Sequence, residues 1–176
     1  RNSRSRPVNH LPSNKPQMSA PSYKIAARDQ DFLLGDSTRG VRFQLEYQKA
    51  EECLRRWEVV STIVVFGSAR VRENGRDGWY ESARQFASIV SERGGAKHDN
   101  GFGRENVVAT GGGPGIMEAA NRGAFDVNAP SIGYNITLPM EQEPNPYSTP
   151  DLTFRFHYFA MRKMHFAMRA NALVVF

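Results

Sequence analysis

The sequence holds a single cysteine, Cys53, among 176 residues. That excludes an internal disulfide and points to a reducing, cytoplasmic setting, with Cys53 a lone buried thiol by default. No apolar run approaches the roughly 18 residues that span a membrane. No N-terminal segment has the charged, apolar and cleavage regions of a signal peptide. There is no Cys/His cluster at metal-ligand spacing: His157 and His165 stand eight residues apart, so no metal site is expected. Residues 1–28 contain no acidic residue at all.

What is present is a globular composition, 40% apolar and 23% charged, at a length that suits one domain with a sizeable core. The net charge of +5 suggests a polyanion binder at first sight. Its distribution argues otherwise. Arg1, Arg4, Arg6, Lys15, Lys24 and Arg28 carry six positive charges in the first 28 residues, which leaves about −1 for the rest. The basicity belongs to a Ser-, Asn- and Pro-rich tail expected to be disordered, not to a folded face, so nucleic-acid binding is not expected. The chain begins with Arg1 and ends on the apolar run Ala172–Phe176. It therefore reads as a fragment that stops inside a core strand.

The hydrophobic pattern alternates between two periods. Residues 29–58 form a helical extension, with Leu34, Val41, Leu45, Leu54 and Trp57 near heptad spacing and Gly35 and Gly40 as candidate breaks. Thr62–Phe66 is a β-branched strand buried on both faces. Trp79–Arg93 is a helix stopped by Gly94 and Gly95, and residues 97–105 read as an exposed insertion. Asn106–Thr110 is a second strand, Ile116–Val127 a second helix and Ser131–Thr137 a third strand. A proline-rich loop follows to Pro150, then a short strand at 152–156, a helix at 158–170 and a last strand at 172–176. Strands alternating with helices imply an α/β fold over residues 59–176: a Rossmann-like, doubly wound parallel sheet with helices on both faces.

In such a sheet, ligands sit beyond the carboxyl ends of the strands. The strongest local signal there is Gly111-Gly112-Gly113-Pro114-Gly115, between the second strand and the second helix. Glycines let the backbone approach a ligand, and the following helix aims N–H groups and a partial positive charge at the loop. Phosphate suits both. The spacing is neither a Walker A motif nor a strict GxGxxG, and a purely structural turn competes with the phosphate reading. Gly67-Ser68-Ala69-Arg70 forms the turn after the first strand. Ser68 either donates to a ligand or stabilises that turn. Arg162, set among Phe159, Phe166 and methionines, wants an anionic partner. Glu118, in the first turn of its helix, complements the dipole or meets a ligand hydroxyl.

The stretch Gly111–Ala124 resembles the first signature of the LOG family, long described as lysine decarboxylase-like. Phe66-Gly67-Ser68-Ala69 is similar to that family's first-strand turn. Arg162-Lys163 with Ala170–Phe176 resembles the approach to its second signature. The resemblance covers about residues 60–176, and Phe32–Tyr47 is similar to the extension of the long bacterial members. It implies a homodimer that hydrolyses nucleoside 5′-monophosphates, AMP-like nucleotides or cytokinin ribotides, to free base and ribose 5-phosphate without a cofactor. It implies Gly67, Ser68, Gly111, Gly112, Gly113, Gly115, Met117 and Lys163 as substrate and phosphate ligands. Arg162 matches the arginine of a catalytic pair whose glutamate belongs to a signature expected beyond Phe176. Relatives that carry the molybdenum cofactor keep a non-catalytic alternative open.

Overall fold

The computed structural model describes residues 12–97, 101–137 and 143–176. Residues 1–11 of the expected tail, the tip of the expected insertion and residues 138–142 of the proline-rich loop lie outside them. The chain divides into two compact units, residues 1–42 and 43–176.

In the first unit, the described part of the expected tail forms short exposed helical turns, among them α1 (Lys15–Ser19). α2 (Gln30–Leu34) starts at Asp29, whose carboxylate accepts from the Phe32 N–H at 3.4 Å. Its last carbonyls are taken up by side chains. Thr38 Oγ1 donates to Phe32 O at 2.8 Å, and Arg42 Nη1 reaches Leu33 O and Gly35 O at 2.7 Å. Of the two candidate glycine breaks, Gly35 ends α2. Gly40 lies inside α3 (Arg39–Arg56) with open space around it. α3 crosses the boundary, so the extension expected at 29–58 is shared between the two units.

The second unit is built on five parallel strands: β1 (Thr62–Phe66), β2 (Val107–Thr110), β3 (Ser131–Ile136), β4 (Thr153–Phe156) and β5 (Ala170–Val175), in the order β4-β3-β2-β1-β5. This is the Rossmann-like α/β architecture expected from the alternating pattern. α4 (Trp79–Arg93) and α5 (Ile116–Asp126) pack on each other and cover one face. α6 (Phe159–Met168) packs on β3 and β4 from the other face, together with residues 43–56 of α3. Strand order reverses between β1 and β5, which opens the crevice at their carboxyl ends.

Several boundaries differ from expectation by one or two residues. β2 starts at Val107 because Asn106 takes a left-handed φ of 52° and donates its amide to Gly94 O. α6 stops at Met168, and β5 begins two residues early, because Thr62 N donates to Arg169 O and draws the chain into the sheet. β5, expected as a core strand, leaves Leu173 and Val175 exposed. Among the described residues it pairs with β1 alone.

Candidate functional site

The β2–α5 loop is held in place before any ligand is considered. Thr110 Oγ1 accepts from Gly112 N at 2.9 Å and donates to Asn121 Oδ1 at 2.7 Å. Asn121, fully buried on α5, donates to Ser131 Oγ at 2.9 Å and to Ile132 O. Asn145, from the loop before β4, donates through its backbone to Gly112 O at 2.8 Å and through its side chain to Gly113 O and Asn121 Oδ1. A buried network with its hydrogen bonds made is rigid, because each alternative leaves a polar group unpaired. These supports were not read as functional from the sequence. Asn121 carried the one usable signal: a polar residue on the helix face that also carries Ile116, Ala120 and Ala124.

The first turn of α5 closes against β1. Ile116 N donates to Ser68 O at 3.1 Å, and a Cβ on Gly67 would lie 2.5 Å from Ile116. Gly115 has φ +72° and ψ −128°, and a side chain there would strike the Ser68 carbonyl, so glycine is required. This geometry leaves the backbone N–H groups of Gly113, Gly115, Met117 and Glu118 without acceptors among the described residues. Orphan donors at the positive end of an 11-residue helix favour an anion.

Arg162 completes the arrangement from the opposite face. Its Nε donates to Tyr134 O at 2.6 Å. Its guanidinium lies 5.3 Å from the Phe166 ring centre and rests on Gly111, where a Cβ would sit 2.6 Å from Nη2 and 2.8 Å from Met117 Sδ. Burial lowers its pKa, and no carboxylate among the described residues offsets that desolvation. The result is a half-buried cation beside a row of orphan donors.

The sequence-predicted residues fall into three groups. Gly111, Gly112, Gly113, Gly115, Met117 and Arg162 come together around one loop. Ser68 lies at its edge, exposed; its Oγ accepts from Arg70 N at 3.2 Å, so the hydroxyl proton stays available. Lys163 makes no contact with the loop. Its ammonium lies 5.6 Å from the Phe159 ring centre and is exposed. Glu118 accepts from Tyr80 Oη at 2.8 Å, and burial pushes the Tyr80 phenol up to about 12. Neither partner was paired in the sequence reading, because 38 residues separate them.

Two clefts flank the loop. One, of about 560 Å³, is lined by Ala69–Glu73, Tyr80, Pro114, Gly115 and Glu118. The other, of about 470 Å³, lies between the end of β3 at Asn135 and Ile136, the first residues of β4 from Thr153 to Arg155, and Glu143 and Pro144. Among the described residues, no group of three or more His, Cys, Asp or Glu is placed to hold a metal ion. No described helix is long and apolar enough to cross a membrane.

No family model matches the chain, and no curated protein matches it. Among solved structures, the X-ray structure of TM1055, a structural-genomics target, is 21% identical over 65% of this chain and 59% of that one, with a TM-score of 0.48.

Proposed function

We propose that the second unit binds a nucleoside 5′-monophosphate and, as the resemblance to LOG phosphoribohydrolases implies, contributes to hydrolysis of its N-glycosidic bond. The observation that carries this reading is Arg162 resting on Gly111 beside the unpaired N–H groups of the loop. A cation without a counter-ion and a helix N-terminus without acceptors, among the described residues, both gain from a phosphate or from an oxygen-rich ribosyl phosphate. Ser68 stands where it can add a hydroxyl donor.

The chemistry divides between two kinds of group. Breaking an N-ribosidic bond builds positive charge on the sugar, which a carboxylate must stabilise while it activates water. In the family this chain resembles, that carboxylate belongs to the signature after the strand matched by β5. Arg162 supplies the complementary part: it orients the ribosyl phosphate and stabilises negative charge on the departing side. A homodimer belongs to the same proposal.

The same donors would serve a non-catalytic carrier of a phosphate-bearing cofactor, since among the described residues the loop and Arg162 offer donors and no free carboxylate. Incubating the protein with AMP, CMP and GMP and measuring free base separates the two. Base release supports the hydrolase. Tight binding of a pterin-type cofactor without base release supports the carrier. Arg162→Ala is expected to lower base release at least a hundredfold with an unchanged melting temperature; unchanged turnover removes Arg162 from the site.

A further inference from the structure

Asn135 is a site-facing side chain that the reading above leaves unused. It is the last residue but one of β3, on the α5 side of the sheet, and its amide packs flat against Gly112, where a Cβ would collide with it. Its Nδ2 is buried with no hydrogen-bond partner among the described residues. An unpaired buried donor disfavours the folded state, and native proteins seldom keep one without a use. Arg162 and Asn135 therefore lie on adjacent glycines, Arg162 on Gly111 and Asn135 on Gly112. The two differ in chemistry. On the Arg162 side stand a guanidinium and the unpaired N–H groups of the loop, with no carboxylate beside them among the described residues. Asn135 opens the cleft it shares with Glu143, Thr153 and Arg155, where donors and acceptors mix. An anion fits the first environment, and a neutral group carrying both donors and acceptors fits the second.

Distance favours one such group. Neighbouring strands lie about 4.8 Å apart. A phosphate over the β2–α5 loop therefore has the cleft beside Asn135, one to two strands along, roughly 5–10 Å away, which brackets the span from the phosphate to the base of a nucleotide. Within the nucleotide-binding reading, we propose that this cleft takes the nucleobase and that Asn135 reads its polar edge. An amide matches an edge with an acceptor beside a donor, such as N7 and the 6-amino group of adenine. Turning the amide about χ2 brings either of its ends to the ligand. Hypoxanthine, with acceptors at both positions, satisfies only half of it.

The test measures dissociation constants of AMP, IMP and ribose 5-phosphate for the whole chain and for Asn135→Leu and Asn135→Ser. The serine removes the amide without adding bulk or charge beside Gly112 if the leucine variant fails to fold. The wild type is expected to prefer AMP over IMP about tenfold. Both variants should weaken AMP about tenfold or more, erase the preference and leave ribose 5-phosphate unchanged. Equal weakening of AMP and ribose 5-phosphate would assign Asn135 to the sugar or phosphate and overturn the proposal, as would unchanged AMP binding or a retained preference. If the wild type binds none of the three, the nucleotide-binding reading itself fails. If it binds them and only the variant effects are missing, the assignment of Asn135 fails alone.

Discussion

The two faces of the sheet are packed by opposite means. On one face, where α4 meets α5, the contacts are small and apolar. Ala83 and Ala87 of α4 and Ala119, Ala120, Gly123 and Ala124 of α5 are buried, and Gly123 touches the Arg84 backbone so closely that a Cβ would overlap its carbonyl. The opposite face is large, aromatic and charged. Tyr134, Phe154, Phe156 and Phe166 interlock there. Beside them Glu51 of α3, 2% exposed, accepts from both terminal nitrogens of Arg169 at 2.6 and 3.0 Å. His165 is fully buried within 3.9 Å of Glu51, with neither ring nitrogen hydrogen-bonded among the described residues. The first face brings backbones together and fixes the start of α5 against β1. The second holds α6, and so the direction from which Arg162 approaches the loop. Precision on one face thus depends on the absence of side chains, and on the other on a buried ion pair that must stay intact.

The largest effect should come from breaking that pair. Glu51→Ala leaves the Arg169 guanidinium buried without its partner, and a loss of about 3–5 kcal/mol is expected in urea unfolding at pH 7. A loss under about 1 kcal/mol would show that solvent already screens the pair. The Arg169 hydrogen bond and charge hold the Glu51 carboxyl below the usual carboxylate range. A depressed carboxylate contributes stability above its unfolded value, near 4.5, and that contribution is lost as pH falls through the lower folded value. Glu51→Gln should therefore flatten the acid limb of the stability curve.

Next in size is the small-residue face. Gly123→Ala forces α4 and α5 apart and should cost about 1–3 kcal/mol by overpacking. If the β2–α5 loop is set by this contact, ligand affinity should fall with it. A stability loss with unchanged affinity would assign the loop's shape to the Thr110–Asn121–Asn145 network instead.

The smallest effect concerns His165. Burial lowers its pKa from 6.5, with Glu51 opposing the shift. The unfolded chain then binds the proton more readily than the folded one, so stability falls as pH drops below about 6.5. His165→Leu removes two unpaired ring nitrogens. The melting temperature at pH 7 should stay the same or rise by a few degrees, and its decline between pH 7 and 5 should become shallower. A marked loss at pH 7 would mean that the ring's stacking on Tyr47, at 5.7 Å, outweighs the cost of its unpaired nitrogens.

Much of this was legible beforehand where the signal is local. TIVVF can hardly be anything but a buried strand. The glycine run before Ile116 announces a strand–loop–helix turn, and alternation of the two periods implies a parallel sheet. Boundaries were less legible because they depend on partners elsewhere: β5 begins early where Arg169 O meets Thr62 N. The site was legible where residues adjoin in sequence. It was not where they meet through the sheet, as with Asn121 and Asn145, Tyr80 and Glu118, and Asn135 on Gly112.

The glycine loop, the alternating pattern and the lone aromatic-flanked Arg162 are properties of the sequence alone, because each rests on a residue's own conformational freedom, apolarity or charge. Tertiary structure decided which of these meet. Strand order alone carries α6 across the opposite face of the sheet and sets Arg162 down on Gly111. Lys163, one residue on and pointing about 100° away around the helix, stays in solvent over Phe159.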